Sequence, residues 1–277
     1  MTDTLKALFA NRRWRYGVIL IALFAGMAAL AHWIAPYDPT TQLGLSQQWQ
    51  APSAAHPFGT DLYGRDVLSR VMHGARISLV IAAFSVLLSI SIGTCLGVVA
   101  GYCGSVVDAV TMRAVDAALA IPRVFLLVLV LAFWHGVGVV GLVVILGVTS
   151  WFGVSRIVRA EVLAIREREY IVAARSLGVG HRRILFHHVL PNVVAPVIVA
   201  ATLGMGQIIL IEAGLSFLGL GVQEPTASLG RMIGAGSGEL LAKPWTTLFP
   251  GVVVILIVIG FSLMGDGFRN TMDPRTR

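Results

Sequence analysis

Residues 77–101 read ISLVIAAFSVLLSISIGTCLGVVAG, a run without a formal charge. At about 1.5 Å per residue a helix of this length exceeds the roughly 30 Å hydrocarbon core of a bilayer. Five more apolar stretches flank it, at 17–35, 114–134, 137–155, 191–211 and 248–265. The stretch at 114–134 is the least clean, since it holds Asp116, Pro122 and Arg123. Composition agrees: 56% of the 277 residues are hydrophobic and 13% are charged. Soluble domains carry about 25% charged residues, so this chain has too few to cover a water-facing surface. Disorder is excluded by the same figures. Two cysteines in so long a chain exclude a disulfide-stapled secreted fold. The pattern predicts an all-α integral membrane protein with six transmembrane helices.

The net charge is +7, and 19 of the 21 basic residues are arginine. They lie between apolar runs and form no nucleic-acid motif, so no nucleic-acid partner is expected. The bias sets the orientation. Four basic residues precede the first span, at Lys6, Arg12, Arg13 and Arg15. Seven crowd the 155–190 loop, Arg113 follows the second span, and Arg269, Arg275 and Arg277 end the chain. The opposite face has five: Arg65, Arg70, Arg76, Arg231 and Lys243. Both termini and the 155–190 loop are therefore expected in the cytoplasm. The expected organisation is a cytoplasmic tail at 1–16, a first helix at 17–35, and a periplasmic segment at 36–75. A five-helix transmembrane domain at 76–266 and a tail at 267–277 follow. The first apolar run, 17–35, is longer than a usual signal-peptide core and reads as an uncleaved helix.

Several chemistries are missing. A Walker A loop needs a lysine after a glycine. The chain's two lysines, Lys6 and Lys243, do not follow one. Gly219-Leu220-Gly221 has no preceding strand and is no dinucleotide fingerprint. Cys95 and Cys103 read as small buried apolar residues. His181, His187 and His188 lack a carboxylate or thiol at ligand spacing and read as solvated or partner-facing, so no metal site is expected. An intramembrane protease would need facing Ser and His, or two Asp. Ser85, Ser89 and Ser91 lie at membrane depth, but His32, His135, Asp116 and Asp266 lie near span ends. No catalytic residue is expected.

The 155–190 loop is the longest polar segment on its side. Its first half reads as a helix, charged at Glu161, Arg166, Glu167, Arg168, Glu169 and Arg175. Val162, Ile165, Ile171 and Val172 supply its apolar face. Gly178 and Gly180 break it. A second short helix runs through Ile184, Leu185 and Val189, and Pro191 opens the fifth pass, where its missing N–H costs nothing. The small residues Ala173, Ala174 and Gly178 let a partner approach the backbone closely.

Residues 170–191, YIVAARSLGVGHRRILFHHVLP, resemble the "EAA" loop of permease subunits of bacterial ATP-binding-cassette importers. Ala173, Ala174, Gly178, Leu190 and Pro191 match that pattern. Val172 replaces its glutamate and His188 its isoleucine, as in the peptide and nickel branch. Residues 56–61 (HPFGTD), 64–70 (GRDVLSR), 212–222 (EAGLSFLGLGV) and the tail from Gly265-Asp266 to Asp273-Pro274-Arg275 are similar to the second permease subunit of dipeptide, oligopeptide and nickel importers.

The resemblance implies a type I importer permease in the bacterial inner membrane, transporting peptides. Nickel complexes or glutathione-like peptides are the alternative cargo within the family. It implies a homologous second permease subunit as heterodimer partner, and an external solute-binding protein. Two cytoplasmic ATPases, which would use ATP and Mg, would dock on the 155–190 loop. This chain itself would be no enzyme and bind no cofactor. Ala173, Ala174 and Gly178 would seat the coupling helix, and Arg168, Glu169 and Arg175 would make its charged contacts. An ion-driven secondary transporter needs inward-facing ionisable residues at mid-membrane. Passes one, two, four and six have none in their centres. Arg123 is the one basic residue near membrane depth. It either faces the translocation path or sits where a late-starting third pass lets it reach the cytoplasmic interface; the second reading is preferred. Outside, a short amphipathic helix is expected within 58–72, with Val67, Leu68, Val71 and Met72 on one stripe. Glu212, Glu224, Arg231 and Glu239 are candidates for docking the binding protein.

Overall fold

The computed structural model describes residues 7–42, 44–134 and 136–272. Among these, every regular element is a helix, apart from one isolated bridge between Thr60 and Asp66. Helix α1 is Arg12–Ile34 and α2 is Val67–Cys103. Helices α3 (Ser105–Leu119), α4 (Arg123–Phe133), α5 (Val139–Val148), α6 (Trp151–Arg166) and α7 (Glu169–Ser176) follow. A turn at His181–Ile184 and a π-turn at Leu185–Val189 lead into α8, Leu190–Phe217. Helices α9 (Leu229–Gly236) and α10 (Trp245–Met272) complete the chain. Five helical stretches are long and apolar enough to cross a membrane, and the bent pair α3–α4 makes a sixth if counted as one span.

Local chemistry sets the helix ends. The Asn11 side chain accepts from the N–H groups of Arg13 and Trp14, capping α1. Its Nδ2 also donates to the Gly267 carbonyl at 3.2 Å. The start of α1 is thus pinned to the last turns of α10, so these two helix ends lie at one end of the bundle. Asp66 caps α2 by accepting from Ser69 N at 2.8 Å and Ser69 Oγ at 2.7 Å. Gly104 stops α2 with a positive φ, a conformation that disfavours side chains. Between α5 and α6, Thr149 Oγ donates to Ile145 O and Ser150 Oγ to Leu146 O. These hydroxyls take over acceptors where the helix is interrupted.

Helix α2 is the spine. Gly93, Gly97 and Gly101 form a stripe at four-residue spacing and meet Val154, Val158 and Val162 of α6 in the same order, so the two helices run parallel. A Cβ on Gly97 would lie 2.6 Å from the Ser155 carbonyl oxygen and 2.8 Å from Val158 Cβ. In lipid, where no hydrophobic force draws helices together, such close backbone approach holds the pair through dispersion. The same device joins α1 to α10, where a Cβ on Gly17 would lie 2.6 Å from Met264 N.

Several expectations are revised. The third pass is not one helix: α3 and α4 meet at 77°. Pro122 has no N–H and disfavours helical geometry at Ile121, so the helix breaks there. The fourth pass continues to Arg166 through the 149–150 interruption, and the fifth and sixth extend to Phe217 and Met272. Val67, Leu68, Val71 and Met72 are not a separate amphipathic helix; they are the first turns of α2. Arg65 and Arg70 beside them are buried rather than facing water or headgroups. Cys95 and Cys103 are exposed on the chain, not buried. His135 and the basic residues at 275 and 277 lie outside the described residues.

Candidate coupling surface, external clasp and membrane cavity

At the end where α1 starts and α10 finishes, α6 turns at Glu167 into α7. Val162, Ile165, Ile171, Ile184 and Val189 pack into one buried cluster that fixes α7 and the following turns to α6. Val172 was expected on that apolar face, but it is exposed. The roughly 100° step of a helix carries Val172 away from Ile171. Arg168, Glu169, Ala173 and Arg175 are exposed, and Ala174 is half-buried. Tyr170 and Leu177 are exposed too, Leu177 at 84%. Arg168 and Glu169 form no ion pair among the described residues, and Arg175 lies over the Tyr102 ring at 5.9 Å. Tyr102 also holds His181, with its OH 3.0 Å from Nδ1. Gly178 has a positive φ with open space around it. Leu190 and Pro191 form the first turn of α8. The result is a short helix with an apolar and charged outer face on a rigid stem.

At the opposite end, the segments before α2 and after α8 are clasped by charge. Arg65 Nη1 donates to Glu224 Oε2 at 2.7 Å, and its Nε to Asp61 Oδ2 at 2.7 Å. Arg70, 1% exposed, donates to Glu224 Oε1 at 3.1 Å and to the Pro39 carbonyl at 2.9 Å. Burial alone would raise the Glu224 carboxyl; the hydrogen bonds and charges of Arg65 and Arg70 outweigh it and hold it below its ordinary value of 4.5. Nearby, His56 Nδ1 and Asp66 Oδ1 are 2.9 Å apart, and Phe58 stacks on Phe249 at 4.0 Å. Glu224 is thus an internal clamp more than a free docking charge.

The clamp makes a pH-dependent contribution. A carboxyl with a depressed folded value stabilises fully above its unfolded value and loses that contribution as pH falls through the folded one. Thermal stability of the purified protein is therefore expected to fall on acidification below about pH 4.5. Glu224→Gln should flatten that fall. Parallel acid profiles for parent and variant would show that the clamp does not contribute.

Glu212 is fully buried and cannot meet a binding protein. Its carboxylate accepts from Ser78 at 2.7 Å, Ser216 at 2.7 Å and Ser228 at 3.0 Å. It ties α2, α8 and the approach to α9 at one point. The four-residue step from Glu212 to Ser216 was a readable sign of the pairing; its contacts to Ser78 and Ser228 had none. Glu239 pairs with Lys243 at 3.2 Å.

Arg123 opens α4 and is half-buried. Its Nη2 donates to the Leu146 carbonyl at 3.2 Å and to Ser150 Oγ at 2.5 Å. It lines a cavity of about 220 Å³ among α2, α4, the α5–α6 junction and α8. The sequence singled out Arg123 but held no sign of Ser89, Ser150 and Gln207 around it, which come from other elements of the bundle.

A bundle of apolar helices, a glycine-packed spine and a short exposed helix on a stem are the features of a multi-pass membrane protein. The chain belongs to the family of binding-protein-dependent transport system inner membrane components, whose model matches residues 93–277. Residues 1–52 match the N-terminal transmembrane domain of oligopeptide transport permease C. The chain is 40% identical over 259 residues to the dipeptide transport system permease protein DppC of Alkalihalophilus pseudofirmus, covering 94% of this chain and 83% of that one. It is 38% identical over 272 residues to DppC of Haemophilus influenzae, covering 96% and 92%. It is 36% identical over 259 residues to the glutathione transport system permease protein GsiD of Pectobacterium atrosepticum, covering 94% and 86%. It is accordingly an inner-membrane transport subunit and not an enzyme.

Proposed function

We propose that this chain forms half of the pore of an ATP-driven peptide importer, paired with a homologous second permease subunit. Two ATPases, which bind the ATP and Mg, seat α7 and the turns after it. A solute-binding protein delivers peptide to the opposite end. The termini and α7 then lie in the cytoplasm, as the arginine bias requires. The observation that carries this reading is the exposed helix Glu169–Ser176, anchored through Ile171 to the α6 stem. Such an element converts closure of docked ATPases into rotation of the spans, because a two-state element moves when its partner binds one state better. Peptide is favoured over glutathione-like cargo because the DppC relatives named for dipeptides, at 40% and 38% identity, are more similar to this chain than GsiD of Pectobacterium atrosepticum, named for glutathione, at 36%.

Reconstitution tests it. Proteoliposomes with both permeases, both ATPases and the binding protein should accumulate a labelled dipeptide only with ATP and Mg. Uptake by this chain alone, driven by an ion gradient, would overturn the proposal.

A further inference from the structure

The membrane cavity beside Arg123 is lined by several polar groups whose hydrogen-bonding capacity is not fully used. Arg123 Nε is buried and has no hydrogen-bond partner. Ser89 Oγ and the Gln207 amide also line the cavity and make no side-chain hydrogen bond within the described residues. Ser150 uses its proton on the Leu146 carbonyl. Arg123 is the one charged residue of the lining, so no carboxylate from the cavity wall faces it. Gly153 and Gly204 keep the space open, since a Cβ on Gly153 would meet nothing within 4 Å and one on Gly204 nothing nearer than 3.6 Å. Ser89 stands midway along the uncharged run 77–101, and Gln207 lies well inside α8, which places the cavity at membrane depth.

A buried cation is usually paired, and an unmade buried hydrogen bond is costly. A guanidinium also presents a planar fork that matches a carboxylate. We infer that this cavity is a transit subsite for the carboxylate terminus of the transported peptide, with Arg123 as its anion-binding group and Ser89 and Gln207 as neutral donors. The inference rests on the peptide-importer reading for the identity of the cargo. Its geometry does not. The Nη2 bonds to Leu146 and Ser150 hold the guanidinium in place, which leaves Nη1, neither sealed in nor hydrogen-bonded, for the ligand. A lone cation with neutral donors can hold a passing carboxylate without a salt-bridge partner having to be displaced.

The test uses the assembled transporter in proteoliposomes, with Cys95 and Cys103 changed to alanine and Ala200, on the cavity wall, changed to cysteine. Labelling of that cysteine by a sulfonate-bearing methanethiosulfonate is compared with labelling by the trimethylammonium analogue. A cleft of one charge sign raises counter-ion encounter by roughly tenfold or more. The anionic reagent should lead by about that factor. The lead should vanish in Arg123→Gln and survive in Arg123→Lys, which separates charge from folding. In parallel, uptake of a dipeptide and of its C-terminal amide is measured with one binding protein. Arg123→Gln should shift the acid-to-amide ratio about tenfold toward the amide. An unchanged labelling ratio, or equal loss of both uptakes, would overturn the inference and mark Arg123 as a clamp on α5. Absence of ATP-dependent uptake in the parent would instead sink the importer reading and leave the labelling result standing.

Discussion

Leucine at Gly97 is expected to destabilise the bundle by at least about 2–3 kcal/mol and to cut the yield of folded protein in the membrane severely. Alanine's single carbon would already sit 2.6 Å from the Ser155 carbonyl oxygen and 2.8 Å from Val158 Cβ. Neither neighbour can yield easily, because one is backbone and the other a β-branched atom close to its own helix. Separating α2 from α6 would strand the stem of the coupling helix as well. Gly26→Leu is the control, since nothing lies within 4 Å of the added carbon. Thermal unfolding in detergent should show a large loss for Gly97→Leu and little for Gly26→Leu. Equal behaviour of the two would mean that the glycine stripe does not hold the spine.

The second large effect concerns coupling. Ala174→Asp should leave the chain folded in the membrane while binding-protein-dependent uptake falls by roughly a hundredfold or more. An unpaired carboxylate in a packed interface costs about 3–5 kcal/mol, and each 1.4 kcal/mol is about tenfold in an equilibrium. Ala174 is half-buried on the free subunit, and an aspartate there can still reach water until an ATPase covers it. Basal hydrolysis by the ATPases should persist, so the defect reads as uncoupling. Gly178→Asp should act in the same direction, with backbone strain added by the positive φ at that position. Uptake near the parental level in Ala174→Asp would show that α7 is not the docking element.

Both effects depend on smallness at a contact, but the sequence reveals them unequally. Ala173, Ala174 and Gly178 stand in a motif on a polar loop and draw attention to themselves. Gly93, Gly97 and Gly101 sit in an apolar run where any small residue looks neutral, and their role appears only when Val154, Val158 and Val162 face them. Among charges the same contrast holds. Glu212 and Glu224 look alike on paper, as acidic residues in a segment expected outside. One is sealed under three serine hydroxyls, and the other is clamped by Arg65 and Arg70 from a segment far upstream in the chain.

Hydrophobic run length and arginine placement were enough to define a multi-pass membrane protein, its span order and its expected orientation. These are local properties: burial in lipid acts on each segment separately, and an uncharged helix such as 77–101 satisfies its own backbone wherever it goes. The break at Pro122, the partners of Glu212 and Glu224, and the cavity around Arg123 were decided by tertiary packing. Each depends on which side chains from distant segments meet, and on small differences in backbone spacing. Residue type sets what a group can do. The helices that close on it decide whether it faces lipid, a partner, another charge, or the small polar cavity within the bundle.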